Sequence, residues 1–246
     1  SCPGVHPAGQ PFFVALLRYL FPQRPIVVVT AGLRIQESFH QDLQTWLSLP
    51  FNPQLSTLSP QPSTLGPQLL FYPSWEILPH EDKLPHADVI SERLETLVAL
   101  AAGRNHGSRL AVQPLVVTSV IALLQRTFSG RALAPRLRTV TRGDQLDPLD
   151  LIEWLEDQAY EPEAQVTQKG ELALRGGIVD VFPLTSPWPV RLEFFGNQLE
   201  SVRHFDPQTQ ISREEIGGIT LPPAGELGLL KRMVRDASAP PADTAT

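Results

Sequence analysis

The chain has 246 residues, 42% of them hydrophobic, and a formal net charge of −6. That length suits one large domain or two small ones, and no apolar run approaches the roughly 20 residues of a membrane-spanning helix. A single cysteine, Cys2, excludes an internal disulfide and a cysteine-based zinc site. No secretory signal opens the sequence, so a cytoplasmic protein is expected. Residues 1–130 carry eight basic and eight acidic side chains, whereas residues 131–206 carry eight and thirteen. A domain that grips nucleic acid by its phosphates is usually basic, so the middle segment suits a protein partner better than DNA.

The first stretch, Gly4-Val5-His6-Pro7-Ala8-Gly9-Gln10-Pro11, has the glycine spacing of a phosphate-binding loop. Its chemistry is missing. Such a loop needs a Lys for the terminal phosphates and a Ser or Thr on magnesium, and Gln10 and Pro11 stand there instead. Proline also has no backbone N–H to offer a phosphate. Gly4, Gly9, Gln10 and Pro11 therefore make either a chance match or a loop dead for nucleotide hydrolysis.

Phe12 to Leu20 reads as a helix with Pro11 in its first turn, and Ile26 to Thr30, β-branched and apolar, as a buried strand. Leu33 to Leu47 is an amphipathic helix with Phe39, Leu43 and Trp46 near one face. Asn52 to Pro67, rich in Pro and Ser, is an irregular connection, followed by a short strand at Leu69 to Tyr72. The prolines of Tyr72-Pro73-Ser74-Trp75-Glu76-Ile77-Leu78-Pro79-His80-Glu81 forbid a regular element there. His80 and His86 bracket Glu81 and Asp82 without the spacing of a helical metal site, so a solvated loop, with no metal or cofactor, is expected. Ala87 to Ala102 is a helix stopped by Gly103, and Leu115 to Thr118 is a strand from which Ser119 caps a helix running to Arg126. Alternating strands and helices imply a parallel sheet flanked by helices. No Ser-His-Asp or Cys-His arrangement, and no acidic pair after a strand, marks a catalytic centre on it.

Near Arg131 the character changes. Leu137 to Thr141 reads as a strand, and Asp147-Pro148 opens a helix to Gln158 with Leu151, Trp154 and Leu155 inward. From Gly170 to Asp206 apolar residues recur with period two: Leu172 and Leu174; Ile178 with Val181 and Phe182 close by; then Val190, Leu192, Phe194, Leu199 and Val202. Period two signals strands with one buried face. Gly176-Gly177 and Gly196-Asn197 mark turns between them, giving an antiparallel sheet of about four strands. Arg175, Arg191, Glu193, Glu200 and Arg203 fall on its outer face, with Phe195 of opposite parity to Leu192 and Phe194. Two readings stay open. The arginines pair with the glutamates across strands, or they flank Phe195 as a protein-binding hot spot. Ile216 to Leu221 is one more β-like run, expected to return to the first sheet, and Ala237 to Thr246 has little to bury.

Four stretches resemble a known family: Pro73-Ser74-Trp75-Glu76-Ile77-Leu78-Pro79-His80-Glu81; Leu174-Arg175-Gly176-Gly177-Ile178-Val179-Asp180-Val181-Phe182-Pro183; Arg191-Leu192-Glu193-Phe194-Phe195-Gly196; and Phe205-Asp206-Pro207-Gln208-Thr209-Gln210. In order and spacing they are similar, over roughly residues 2–228, to the N-terminal UvrB-like module of the bacterial transcription-repair coupling factor, Mfd. The Trp-Glu-x-Leu-Pro stretch resembles the coupling factor rather than the excision-repair helicase subunit UvrB. The resemblance implies an α/β fold: a degenerate helicase-like (RecA-like) parallel-sheet domain, residues 1–130 plus 207–230, with an inserted small α/β domain, 131–206, carrying the antiparallel sheet. A disordered tail, 231–246, follows.

It further implies an adaptor that recruits UvrA and links stalled RNA polymerase to nucleotide excision repair. By motif, the UvrA contacts fall on Arg175, Arg191 and Phe195. The family's module has lost the phosphate loop, so no ATPase activity is expected, although the parent family is an ATP-dependent DNA translocase. Its motor domains, and the domains that contact RNA polymerase, DNA and the masked UvrA surface, lie further along the family's chain, so this chain is read as a fragment. The alternative is a UvrB-like or DNA-binding helicase fragment.

Overall fold

The computed structural model describes residues 4–49, 69–75, 86–105 and 113–225, with only the backbone for 102–105. The expected connection at 52–67, the His80, Glu81 and Asp82 loop, most of the Trp75–Glu81 motif and the tail at 231–246 lie outside the described residues. The chain divides into two compact units, residues 1–126 and 127–246.

The first unit alternates helix and strand: α1 (Gln10–Leu20), β1 (Ile26–Thr30), α2 (Leu33–Ser48), β2 (Leu69–Tyr72), α3 (Ala87–Asn105), β3 (Leu115–Ser119) and α4 (Val120–Leu124). The strands form a parallel sheet in the order β1-β3-β2. Val14 and Ala15 of α1 and Phe39 and Leu43 of α2 pack with Leu115 and Val117 on one face. Leu70, Tyr72 and Val116 pack with Leu97 of α3 on the other. The crossovers need helices on both faces, and period-3.6 apolar stripes supply them. As the sequence suggested, the Ser119 hydroxyl caps α4 by accepting from Ala122 N, but α4 ends at Leu124. The run at β1 is not buried throughout. It is an edge strand packed on one face only, so Val27 and Val29 are 58% and 48% exposed.

Two buried arginines tie this unit together. Arg18 donates to the carbonyls of Pro22, Arg24 and Pro114, joining the end of α1 to the start of β3. Its burial lowers its pKa from the ordinary value. Arg93 lies between the rings of Tyr72 and Trp75, 4.3 and 4.2 Å from their centroids, and donates to the Tyr72 hydroxyl and the Pro73 carbonyl.

The second unit opens with α5 (Gly130–Leu133), β4 (Arg138–Thr141) and α6 (Pro148–Asp157). The Asp147 carboxylate accepts from Leu149 N at 2.8 Å, and Pro148 fills the first helical position. Seven strands follow: β5 (Glu161–Pro162), β6 (Glu171–Arg175), β7 (Ile178–Val181), β8 (Val190–Phe195), β9 (Gln198–Phe205), β10 (Ser212–Glu215) and β11 (Gly218–Leu221). Six of them make one sheet in the order β10-β9-β8-β7-β6-β5, antiparallel except for the β5–β6 pair. The four expected strands are its centre. Its edges are the two-residue β5 and the charged β10, Ser-Arg-Glu-Glu. Both central hairpins close through two-residue turns, and Gly176 and Gly196 supply positive φ at the first turn position, the type II′ requirement.

Leu151 and Leu155 of α6 cover the inner face, meeting Leu172, Val179, Val181, Val190, Leu192, Leu199 and Val202. The inward beat of β7 thus falls on Val179 and Val181. Ile178, expected inward, shares the parity of Asp180 and stands on the outer face opposite Arg175 and Glu193. Leu174 is exposed, because β5 is too short to extend the sheet beside it.

The run at 216–221 does not return to the first sheet. β11 pairs antiparallel with β4, Ile219 opposite Val140, and buries Leu221 with Val140 in the same core. Gly218 permits this approach, since a Cβ there would meet the Val140 carbonyl oxygen at 2.6 Å. The apolar side of the run finds its partner locally, and residues 207–225 stay with the second unit. Tyr160 donates to the Pro222 carbonyl at 2.9 Å from full burial, and that burial pushes its phenol well above the ordinary value.

Helix α6 ends in a Schellman motif, with Tyr160 N donating to Leu155 O and Ala159 N to Glu156 O. Ala159 holds the left-handed position at φ 68°, where glycine is the favoured residue. Ala159→Gly is expected to stabilise the second unit by about 0.5–1 kcal/mol, the relief of left-handed strain less the extra unfolded-state entropy of glycine. Urea denaturation followed by circular dichroism measures it, and a loss of stability contradicts it.

Candidate functional site

The outer face of the six-stranded sheet is organised by a rung that crosses five strands: Ala173, Asp180, Arg191, Arg203 and Glu215. Asp180 sits in the middle of it with no exposed surface. A buried carboxylate must be paired or neutralised, and here two guanidiniums meet it. Arg191 grips it with both prongs, Nε to Oδ1 at 2.8 Å and Nη2 to Oδ2 at 2.9 Å. Arg175 Nη2, two residues along β6 from Ala173, which is the residue opposite Asp180, donates to Oδ2 as well.

The two arginines differ in what they have left to give. The Arg191 side chain is 13% exposed. Its third nitrogen, Nη1, donates to the Gln210 carbonyl and the Ser212 hydroxyl, both at 3.3 Å, and its guanidinium carbon lies 4.7 Å from the centroid of the Phe205 ring. The hydrogen bonding of Arg191 to Asp180 raises the Arg191 pKa, against desolvation and with help from the charges of Asp180 and Glu193. Arg175 is 46% exposed, so part of its fork faces water. Phe195 stands on the same face, two residues beyond Glu193 along β8, and is 76% exposed. A bulge in β9 between the Ser201 and Leu199 pairings accommodates this end of β8, where Phe194 packs against the inner core and Phe195 points outward.

The structure therefore brings Arg175 and Arg191 together around one carboxylate and leaves Phe195 as an exposed aromatic on the same face of the sheet. The cross-strand reading holds for Arg203, which meets Glu215 on the neighbouring strand, but not for Arg175 and Arg191. Arg191 is engaged by Asp180 rather than by the glutamates. Glu193 accepts from the Ser201 hydroxyl at 2.6 Å, and Arg203 pairs with Glu215, which also takes Arg142. Sequence reasoning passed over Asp180, Gln210 and Ser212. An acid between Val179 and Val181 in a strand interior was the available signal for the first.

At the other end of the chain, Pro7–Gly9 form a single 3₁₀ turn leading into α1. The loop closes on itself: His6 Nδ1 accepts from Ala8 N, and the Gln10 amide reaches the Val5 carbonyl. Pro11 is buried. Among the described residues no group of three His, Cys, Asp or Glu side chains is placed to hold a metal ion, and no helix is long and apolar enough to cross a membrane.

Removing one partner of a buried ion pair leaves the other charge desolvated, at a cost of about 3–5 kcal/mol. Asp180→Ala is expected to destabilise the second unit on that scale, whereas Arg175→Ala, at a half-exposed site, costs about 1 kcal/mol or less. Urea denaturation of both variants checks the contrast. Equal losses would mean that Arg175 is as much a part of the buried pair as Arg191.

Residues 139–227 match the family model of the UvrB interaction domain. Over 172 residues, 70% of the chain, it is 34% identical to the transcription-repair-coupling factor of Haemophilus influenzae. Over 221 residues, 88% of the chain, it is 34% identical to that of Mycobacterium bovis, and over 152 residues, 62%, it is 34% identical to that of Escherichia coli. The chain spans 14%, 16% and 12% of the lengths of these curated relatives. The chain thus carries a UvrB interaction domain in a UvrB-like module like that of the transcription-repair coupling factors.

Proposed function

We propose that this chain is a UvrA-recruiting adaptor, whose second unit docks UvrA through the outer face of its sheet. The observation that carries the reading is an exposed aromatic, Phe195, on the same face of one six-stranded sheet as the half-exposed guanidinium of Arg175. Interface hot spots are enriched in aromatic residues and arginine and are strongest when pre-organised. Phe195 supplies the desolvated centre. Arg175 presents its free donors to an acidic group of the partner. Arg191, saturated within the unit, acts from below, by fixing Asp180 and the strand that carries Phe195. Ile178, on the same face between Arg175 and Glu193, adds apolar surface to the patch.

The first unit, a degenerate helicase-type domain in this reading, has no ATPase activity of its own. Gln10 and Pro11 stand where phosphate binding needs a lysine and a magnesium-binding hydroxyl. In this reading the module links a stalled RNA polymerase to the excision-repair machinery, in keeping with the name of the longer relatives, the transcription-repair-coupling factors. The acidic balance of residues 131–206 supports a protein partner over a nucleic acid.

Calorimetric titration with UvrA tests the docking surface. Phe195→Ala and Arg175→Ala are each expected to weaken binding by about 2 kcal/mol or more, roughly 30-fold, the hot-spot scale. Unchanged affinity in correctly folded variants would remove this face from consideration. Arg191→Ala is expected to lose affinity and stability together, so it is read beside its denaturation curve.

A further inference from the structure

The segment Phe205-Asp206-Pro207-Gln208-Thr209-Gln210, singled out in the sequence, contributes no exposed aromatic or guanidinium to the docking face. It forms the connection between β9 and β10. The Asp206 carboxylate accepts from Gln208 N at 2.9 Å and Thr209 N at 3.0 Å. Those bonds, the one from Thr209 foremost, hold its pKa below the ordinary carboxylate value. Asp206 N donates to Ile211 O, and Gln210 N donates back to Asp206 O at 2.7 Å. The turn closes only because Gln210 takes a left-handed conformation, φ 61°, which non-glycine residues seldom adopt outside Asn and Asp. In that conformation its carbonyl accepts from Arg191 Nη1. Its side-chain amide reaches the other way, donating to Val166 O at 3.0 Å and Pro207 O at 2.8 Å, while its Oε1 is buried without a partner. Val166 packs with Ala173, Phe182 and Phe205 on the same outer face.

We infer that Gln210 is a positioning residue for the docking face: its left-handed backbone holds Arg191 onto Asp180, and its amide anchors the turn to the loop before β6. The inference rests on the docking reading above. An uncommon backbone conformation and an unsatisfied buried oxygen persist only where the surroundings over-determine them, and both are met at the residue that closes the cage around Arg191. Without the Gln210 carbonyl the guanidinium keeps Asp180 and Ser212 as hydrogen-bond partners and the Phe205 ring beside it, and the Asp180 carboxylate draws more heavily on Arg175, the arginine offered to the partner.

Three variants of the whole chain separate this role from simple stability. Gln210→Val disfavours the left-handed conformation, because β-branched residues are poorly tolerated there. Gln210→Asn retains it, and Ile211→Ala alters the same turn without touching Arg191. The first readout is nitrogen-15 NMR of the Arg191 side chain, in which a caged guanidinium shows slow rotation and protected Nε–H. Gln210→Val is expected to average those signals, while Gln210→Asn and Ile211→Ala preserve them. The second readout is UvrA affinity, expected to fall about 10-fold in Gln210→Val and to stay within 2-fold in the other two. Should Gln210→Val fail to fold, Gln210→Ala, a milder change at the same position, takes its place with the same readouts. Arg191 signals and affinity unchanged in the folded position-210 variant would overturn the inference. If the wild-type chain does not bind UvrA, the docking reading fails, and the NMR readout still decides whether Gln210 positions Arg191.

Discussion

A single buried carboxylate sets the terms for the outer face of the second unit. Asp180 is enclosed in the middle of a six-stranded sheet, and an unpaired charge there would be untenable. Arg191 satisfies it with a planar, two-pronged grip that a lysine cannot reproduce, and Arg175 completes it. Arg175 is the member of this cluster that is half open to water, so it is the one that an acidic group of a partner can meet. The geometry that stabilises the fold and the geometry offered to a partner are therefore one arrangement, divided between a sheltered arginine and an open one.

The first unit uses buried arginine differently. Arg18 donates to three backbone carbonyls and Arg93 to a carbonyl and a tyrosine hydroxyl between two rings, so their guanidiniums serve as multi-donor clamps on loop carbonyls. Arg18 joins segments nearly a hundred residues apart, and Arg93 joins α3 to the end of β2. These contacts make a small three-stranded sheet more than the sum of its short strands.

Much of this was legible in the sequence where the signal is local. Gly176-Gly177 and Gly196-Asn197 located both hairpins, because a two-residue turn needs positive φ there and few other residues supply it. Asp147-Pro148 located the start of α6, and period-two alternation put Arg175, Arg191 and Phe195 on one face. The partners of those residues were not legible. Asp180 lies five residues from Arg175 and eleven from Arg191, and only the strand register makes them neighbours. Ile178 was misplaced because a strand of four residues offers too few beats to fix its phase. Ile216–Leu221 was sent to the wrong sheet because an apolar run states that it needs a partner without stating which one. Gln210 gave no warning at all, since glutamine is not a residue from which a left-handed backbone is read.

The edges of the large sheet have a further consequence. One edge is a strand of two residues and the other is a short run of Ser, Arg and two Glu, both poor templates for an added strand. Recognition by backbone zippering, which tolerates many sequences because the peptide group is common to all of them, is thereby discouraged. What remains is the flat of the sheet, where affinity is set by individual side chains. A surface of this kind can change partners, or lose one, through a single substitution while its architecture stays intact, so the likeness of two such modules in fold carries little information about whether they share a ligand.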